Sequence, residues 1–285
     1  MTADENGPVS SQVTRRALLR AGAAAAAAAT VPPSLAALTW NIASGRPAPA
    51  DRRFSSPVID ATIARVKRQI PDPLLATMFE RCFPNTLDTT VFPGTHNGHP
   101  DTFVITGDID AMWQRDSSAQ VHPYLPFAKQ DPNLATLLQG IVRRQVQNIL
   151  IDPYANAFVR TASDPPLPWA VHDHTTMKPG VGERKWEVDS LCYTIRLAHG
   201  YWRATGDTSP FDSQWRQAAR SILRTFHQQQ RTSSPGPYSF QRLTTNPTDT
   251  VPLGGYGNPA RPVGMIFSMF RPSDDCCPLP RPPCR

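Results

Sequence analysis

Three segments of this chain carry residue types that could do chemistry. The densest runs Gly107-Asp108-Ile109-Asp110-Ala111-Met112-Trp113-Gln114-Arg115-Asp116-Ser117-Ser118-Ala119-Gln120-Val121. It places three carboxylates, an arginine and a tryptophan among hydroxyl and amide groups. Such a mixture suits a polyhydroxylated ligand. Carboxylates accept from paired hydroxyls, arginine donates, and the indole offers a flat apolar face to ring C–H groups. The same residues would serve equally as a capped helix start with an Arg115–Asp116 or Asp110–Arg115 ion pair.

The second segment is Glu183-Arg184-Lys185-Trp186-Glu187-Val188-Asp189-Ser190. Glu187 and Asp189 stand just before a stretch of helical spacing. A carboxyl half-buried there beside an aromatic can hold its proton and act as a general acid. On position alone, N-capping by Asp189 is the commoner outcome. The third segment is the glycine cluster Gly254-Gly255-Tyr256-Gly257, followed by Gly264 to Asp275, where Arg271, Asp274 and Asp275 sit beside aromatics. The glycine cluster lacks the Lys-Ser/Thr ending and the strand–helix setting of a phosphate loop and reads as a turn.

Other chemistries find no support. His96 with His99, and His172 with His174, are close pairs, but neither has a second cluster at zinc spacing, so exposed loop histidines are expected. A serine-hydrolase elbow and the Rossmann and Walker patterns are missing. Five cysteines in 285 residues exclude a disulfide-dense scaffold. Cys82 and Cys192 fall on apolar helical faces and read as core packing.

The net charge of +6 invites a nucleic-acid reading. Its location argues otherwise. Residues 1–57 carry net +3, residues 271–285 net +1 and the long body only +2. No nucleic-acid partner is expected.

Residues 1–38 read as a targeting segment. A polar stretch ends in Arg15-Arg16-Ala17-Leu18-Leu19-Arg20, and Ala21 to Thr30 is nearly all alanine. Adjacent arginines before a weakly hydrophobic run are the pattern of a twin-arginine signal, which implies the twin-arginine export machinery as partner and a periplasmic or extracellular location. The run falls well short of the roughly 20 residues that span a bilayer, so stable membrane insertion is not expected. Residues 39–57 are rich in Pro, Ala, Ser and Arg and read as a linker.

The elements that must position these segments are mostly helical. Val58, Ile59, Ile63, Val66 and Ile70 make one face, and Leu74, Leu75, Met78, Phe79 and Cys82 a second. Thr102–Thr106 reads as a short strand. The clearest helix spans about Asn133–Ile151, opened by Asp131-Pro132. Another spans Glu187–Thr205, with Leu191, Ile195, Ala198 and Trp202 inward and Gly206 as its stop. A third spans Ser209–Gln230, burying Phe211, Trp215, Ala218, Ile222 and Phe226. Residues 232–262 read as a long loop with hairpin character.

Taken in order, these segments resemble glycoside hydrolase family 125, the metal-independent exo-α-1,6-mannosidases. The matching stretches are Thr106 to Pro126 (T-G-D-I-D-A-M-W-Q-R-D-S-S-A-Q-V-H-P-Y-L-P), Arg143 to Phe158, Glu183 to Tyr193 (E-R-K-W-E-V-D-S-L-C-Y) and Gly264 to Asp275. Gln114 stands where the pattern has an aliphatic residue, and Gly180 and Gly182 where it has aromatics. The resemblance covers about residues 58–275. It implies a mainly α fold, an (α/α)6 barrel incomplete in this chain. It also implies removal of terminal α-1,6-linked mannose from an oligosaccharide or N-glycan with inversion, and no cofactor. On it, Asp189 matches the general acid, and Trp113, Arg115, Asp116, Arg271, Asp274 and Asp275 match sugar-binding positions. The family's base lies in a helical region beyond the last matching stretch. Residues 276–285, Pro- and Cys-rich, read as an aberrant tail, so turnover is expected to be impaired. A non-catalytic mannose-binding remnant, or an (α/α)6 glycosidase for other sugars, are the alternatives.

Overall fold

The structure, a computed structural model, describes residues 45–243, 250–259, 261 and 263–270. Helix makes up 47%, so the mainly α expectation holds. None of these helices is long and apolar enough to cross a membrane. Six α-helices are described: α1 (Pro57–Lys67), α2 (Pro73–Cys82), α3 (Gln114–Val121), α4 (Pro132–Ile151), α5 (Val188–Thr205) and α6 (Ser213–Gln229).

Their starts are chemically marked. Asp72, Asp131 and Asp212 each cap a helix by accepting two main-chain N–H groups, and proline opens α1, α2 and α4. The cap moves the start of α6 from the expected Ser209 to Ser213. Gly206, at φ 75°, ends α5 in the left-handed conformation, as its glycine predicts.

Helix α4 is the central element. Leu134, Leu137, Leu138, Ile141 and Val142 from its first half join one core, with Ile59 and Ile63 of α1 and Leu197, Ala198 and Tyr201 of α5. Val146 and Ile149 from its second half join another, with Trp186, Leu191, Ala218, Ile222 and Tyr238.

An antiparallel hairpin lies across α4. β1 (Val91–His96) and β2 (His99–Val104) are joined at Asn97-Gly98, both at positive φ as a tight two-residue turn requires. The strand expected at Thr102–Thr106 therefore begins three residues earlier. His96 faces its partner His99 at the hairpin tip, and both are exposed. Gly140 permits the crossing, since a Cβ there would stand 2.9 Å from the Thr102 nitrogen.

A second, smaller sheet escapes the periodicity altogether. β3 (Met112–Trp113), β4 (Ala157–Phe158) and β5 (Val181–Glu183) pair antiparallel in that order. Trp113 lies opposite Ala157, and Ala157 opposite Glu183.

Several expected contacts are corrected. Leu74, Leu75 and Met78 of α2 are each more than half exposed, and the helix buries Ala76 instead. On α5, Ile195 and Trp202 are exposed, and the inward stripe is Leu191, Thr194, Leu197, Ala198 and Tyr201. Polar Thr194 belongs to the buried face, which turns the stripe away from Ile195. Cys82 and Cys192 ride on those outer faces and are exposed, so neither is core packing.

Residues 46–57, expected at the end of a linker, pack on the body. Arg46 pairs with Asp60 at 2.7 Å and with buried Asp88 at 2.6 Å. Ser56 accepts from the Ile59 amide at the start of α1 and donates to Asp131 Oδ2 at 2.5 Å. Between 232 and 262, hairpin character is present as main-chain bonds from Phe240 to Gly255 and from Val251 to Phe240.

Candidate active site

The three-stranded sheet sets the site. Helix α3 starts directly after β3, and α5 starts five residues after β5. With Trp113 and Glu183 registered on either side of Ala157, the first turns of α3 and α5 come side by side. That brings Arg115 and Asp116 of the first segment to Glu187 and Asp189 of the second.

Arg115 is the centre of this meeting. Its NH1 stands 3.4 Å from Glu187 Oε2 and 3.4 Å from Asp189 Oδ2, and its NH2 3.3 Å from Asp116 Oδ2. Three carboxyls therefore compete for one guanidinium. Burial works against the arginine's charge, but these neighbours outweigh it and hold Arg115 above its usual range. Burial pushes Glu187 up to about 8, and the charges of Asp189 and Glu183 add to this against the pull of Arg115. The side chain of Glu187 is 7% exposed and that of Asp189 19%.

The capping alternative for Asp189 does not hold. Glu187 occupies the cap position of α5, its side chain caps nothing, and Asp189 lies in the first turn. Asp189 Oδ1 and the neighbouring Ser190 Oγ are buried and have no hydrogen-bond partner among the described residues. Unpaired acceptors of this kind are costly in a finished core and are found where a ligand completes the set. Of the two ion pairs weighed for Arg115, the Asp116 pair forms. Asp110 instead accepts from Arg160 at 2.8 and 3.0 Å.

Behind this group lies a rigid polar wall. Glu183 accepts from Asn156 Nδ2 at 2.8 Å, Trp169 Nε1 at 2.9 Å and Arg242 at 2.9 Å. Arg242 also grips Asp173 with two bonds, at 2.7 and 2.6 Å. Burial opposes ionisation of Glu183, but Lys185, Arg242 and these donors prevail and hold it below its usual range. Trp186 is almost wholly buried, and its indole donates to the Phe267 carbonyl at 2.7 Å. The amides of Met269 and Phe270 donate to the Trp186 carbonyl, and Ser268 Oγ accepts from Val188 N. The third segment thus meets the second at residues 267–270. Arg271, Asp274 and Asp275 lie outside the described residues.

Trp113 is half-buried beside the small apolar cluster of Ala111, Ala157, Leu167 and Ala170. Of the sequence-derived candidates, Arg115, Asp116 and Asp189 are brought to one place, and Trp113 precedes Arg115 by two residues on β3. Sequence reasoning noted Glu187 but did not assign it. Its signal was the Glu-x-Asp spacing, which puts both carboxyls on the entry to one helix. The Asn156–Glu183–Arg242 wall had no local signal, since its members are 27 and 59 residues apart. Among the described residues, no three of His, Cys, Asp or Glu gather as a metal would require.

A carboxyl–arginine cluster at paired helix starts can accept hydrogen bonds from a polyhydroxylated ligand and donate to it. The sequence profile of the metal-independent α-mannosidase family GH125 matches residues 72–281. The Meiotically up-regulated gene 157 protein of Schizosaccharomyces pombe is 38% identical over 262 residues, which are 82% of this chain and 49% of that protein. A metal-independent α-mannosidase from Streptococcus pneumoniae, solved in a non-productive complex with α-1,6-mannobiose, superposes with a TM-score of 0.72 at 41% identity. The match covers 79% of this chain and 52% of that one. This chain belongs to the GH125 family of metal-independent α-mannosidases. It spans about half the length of these two relatives.

Proposed function

We propose that this chain carries the acid side of an inverting exo-α-mannosidase site on part of an (α/α)6 barrel. Its substrate is a terminal α-1,6-linked mannose on an oligosaccharide or N-glycan. The observation that carries this reading is Asp189. It is paired through Oδ2 to Arg115 at 3.4 Å, while Oδ1 has no hydrogen-bond partner among the described residues. An acid must reach the leaving oxygen, and Asp189 is more exposed than Glu187. Protonated Asp189 gives its proton to the glycosidic oxygen as the C1–O bond breaks. Arg115 then faces the carboxylate left behind. A second carboxyl, about 6.5–9.5 Å away in inverting enzymes, activates water on the opposite face of the sugar. Trp113 offers its ring face to the sugar, and Asp116 accepts from hydroxyls. Arg271, Asp274 and Asp275 are proposed as further sugar contacts on family resemblance. The proposed twin-arginine leader would carry the folded protein out of the cytoplasm.

The test is incubation with an α-1,6-mannobioside, following mannose by proton NMR. β-Mannose as the first product supports inversion, and α-mannose overturns it. Turnover is expected to be impaired, and Asp189→Asn is expected to lower what remains by about 10²–10⁴-fold. An unchanged rate removes Asp189 as the acid.

A further inference from the structure

Two carboxyls share one nitrogen at this site, and the reaction as proposed uses only one of them. Glu187 Oε2 and Asp189 Oδ2 each stand 3.4 Å from Arg115 NH1. The two groups therefore lie no farther apart than those contacts laid end to end. They differ in setting. Glu187 is the more deeply buried and lies at the cap position of α5, while Asp189 lies in the first turn. Among the described residues, the other charged groups facing Glu187 are Glu183 on β5, Lys185 in the connecting segment and, through Arg115, Asp116 on α3.

We propose that Glu187 is a positioning residue for Asp189: it holds Arg115 in place while itself neutral, and so leaves the arginine's charge to the Asp189 carboxylate. The inference rests on Asp189 being the acid. When the Asp189 proton passes to the leaving oxygen, a carboxylate forms beside Arg115. With Glu187 neutral, that new charge meets a cation whose remaining anionic partner is Asp116. With Glu187 ionised, the new charge would meet a cation already matched and a like charge besides. The neutral state agrees with the upward displacement of Glu187, whose first cause is burial. The charge of Asp189 is among the causes of that displacement, so the ionisation of Glu187 reports on its neighbour.

That coupling is the test, and it needs no turnover. The side-chain carboxyl carbons of the intact ¹³C-labelled chain are followed by NMR from pH 4 to 10. The Glu187 resonance is expected to move with a midpoint of about 8, and the Asp189 carboxyl carbon to register that same event through its neighbour's charge. Glu187→Gln should abolish this response at Asp189. In Asp189→Asn, the Glu187 midpoint should fall by about one pH unit, because the like charge is gone. A folded Glu187→Gln chain with an unaltered Asp189 curve overturns the proposal. If that variant does not fold, Asp189→Asn decides: an unmoved Glu187 midpoint overturns it equally. A purely structural Glu187 would alter stability in these variants without linking the two curves. Mannobioside hydrolysis indifferent to Asp189→Asn would instead remove the acid role while the titration still reads the coupling. The two failures are therefore distinguishable.

Discussion

Gln114 and Arg115 are neighbours in the first turn of α3, yet they serve opposite ends. Gln114 points into the body and is 1% exposed. Its amide donates to the Gln145 carbonyl at 3.1 Å and to Thr194 Oγ1 at 3.3 Å, and its oxygen accepts from Asn148 at 3.0 Å. Gln145 in turn donates to Ser117, Ser118 and the Gln114 carbonyl. Among the described residues, the side-chain nitrogens of Gln114, Gln145 and Asn148 and the Gln114 oxygen are paired, with Gln145 Oε1 the exception. On the Arg115 side, three carboxyls compete for one cation, and one Asp189 oxygen has no partner among the described residues. The paired side fixes α3 against α4 and α5. The contested side keeps charge available for a ligand. A buried polar network stabilises a fold only when its members are satisfied. One turn of helix here separates a satisfied network from one left open.

The sharpest way to break this contrast is Arg115→Ala. It should abolish calorimetric binding of α-1,6-mannobioside while changing unfolding stability by less than about 1 kcal/mol, since Glu187 already holds its proton near neutral pH and leaves no bare charge behind. A large loss of stability with binding intact would reverse the two roles. Next in size is Gln114→Leu, which installs the aliphatic residue that the family pattern carries. It orphans Asn148 and should cost about 2 kcal/mol in urea unfolding. Binding should stay within about twofold. A neutral result would mean that the polar network contributes nothing to fixing α3.

The pH dependence sharpens the comparison further. Folded Glu187 holds its proton up to about 8, against an ordinary value of 4.5. The folded state therefore binds more protons than the unfolded chain between those limits, and stability falls as pH rises through them. Below pH 4.5 the contribution is fully present. Melting temperatures from pH 4 to 9 should decline more steeply in the wild type than in Glu187→Gln, and parallel curves would contradict this. The smallest effect is expected at Cys192, exposed on the outer face of α5. Cys192→Ser should change unfolding stability by less than about 0.5 kcal/mol, and a larger change would show that face to be packed.

How much of this was legible in the sequence follows from length and periodicity. Helix α4, with twenty residues and a marked cap, was readable almost to the residue. So was the inward face of α6. The sheet of β3, β4 and β5 was not, because strands of two or three residues carry no alternation to detect. Yet that sheet aligns the two helix starts and makes the site. The outward apolar residues of α2 and α5 misled for a related reason. Periodicity reports an apolar stripe but not what covers it, and Leu74, Met78, Ile195 and Trp202 are exposed. Arg115, Asp116 and Asp189 were found through composition and family pattern together. Their convergence on one guanidinium needed the third dimension.

The bond between Ser56 and Asp131 bears on where this domain may be cut. Asp131 caps α4 with Oδ1 and receives the Ser56 hydroxyl on Oδ2, while Ser56 itself accepts from the first turn of α1. A shortened gene product starting at residue 58, as the repetitive composition upstream would invite, severs this double cap. It also strands buried Asp88 without Arg46. A trimmed version for crystallisation should therefore open ahead of Arg46, and residues 46–57 are better treated as the domain's first packed segment.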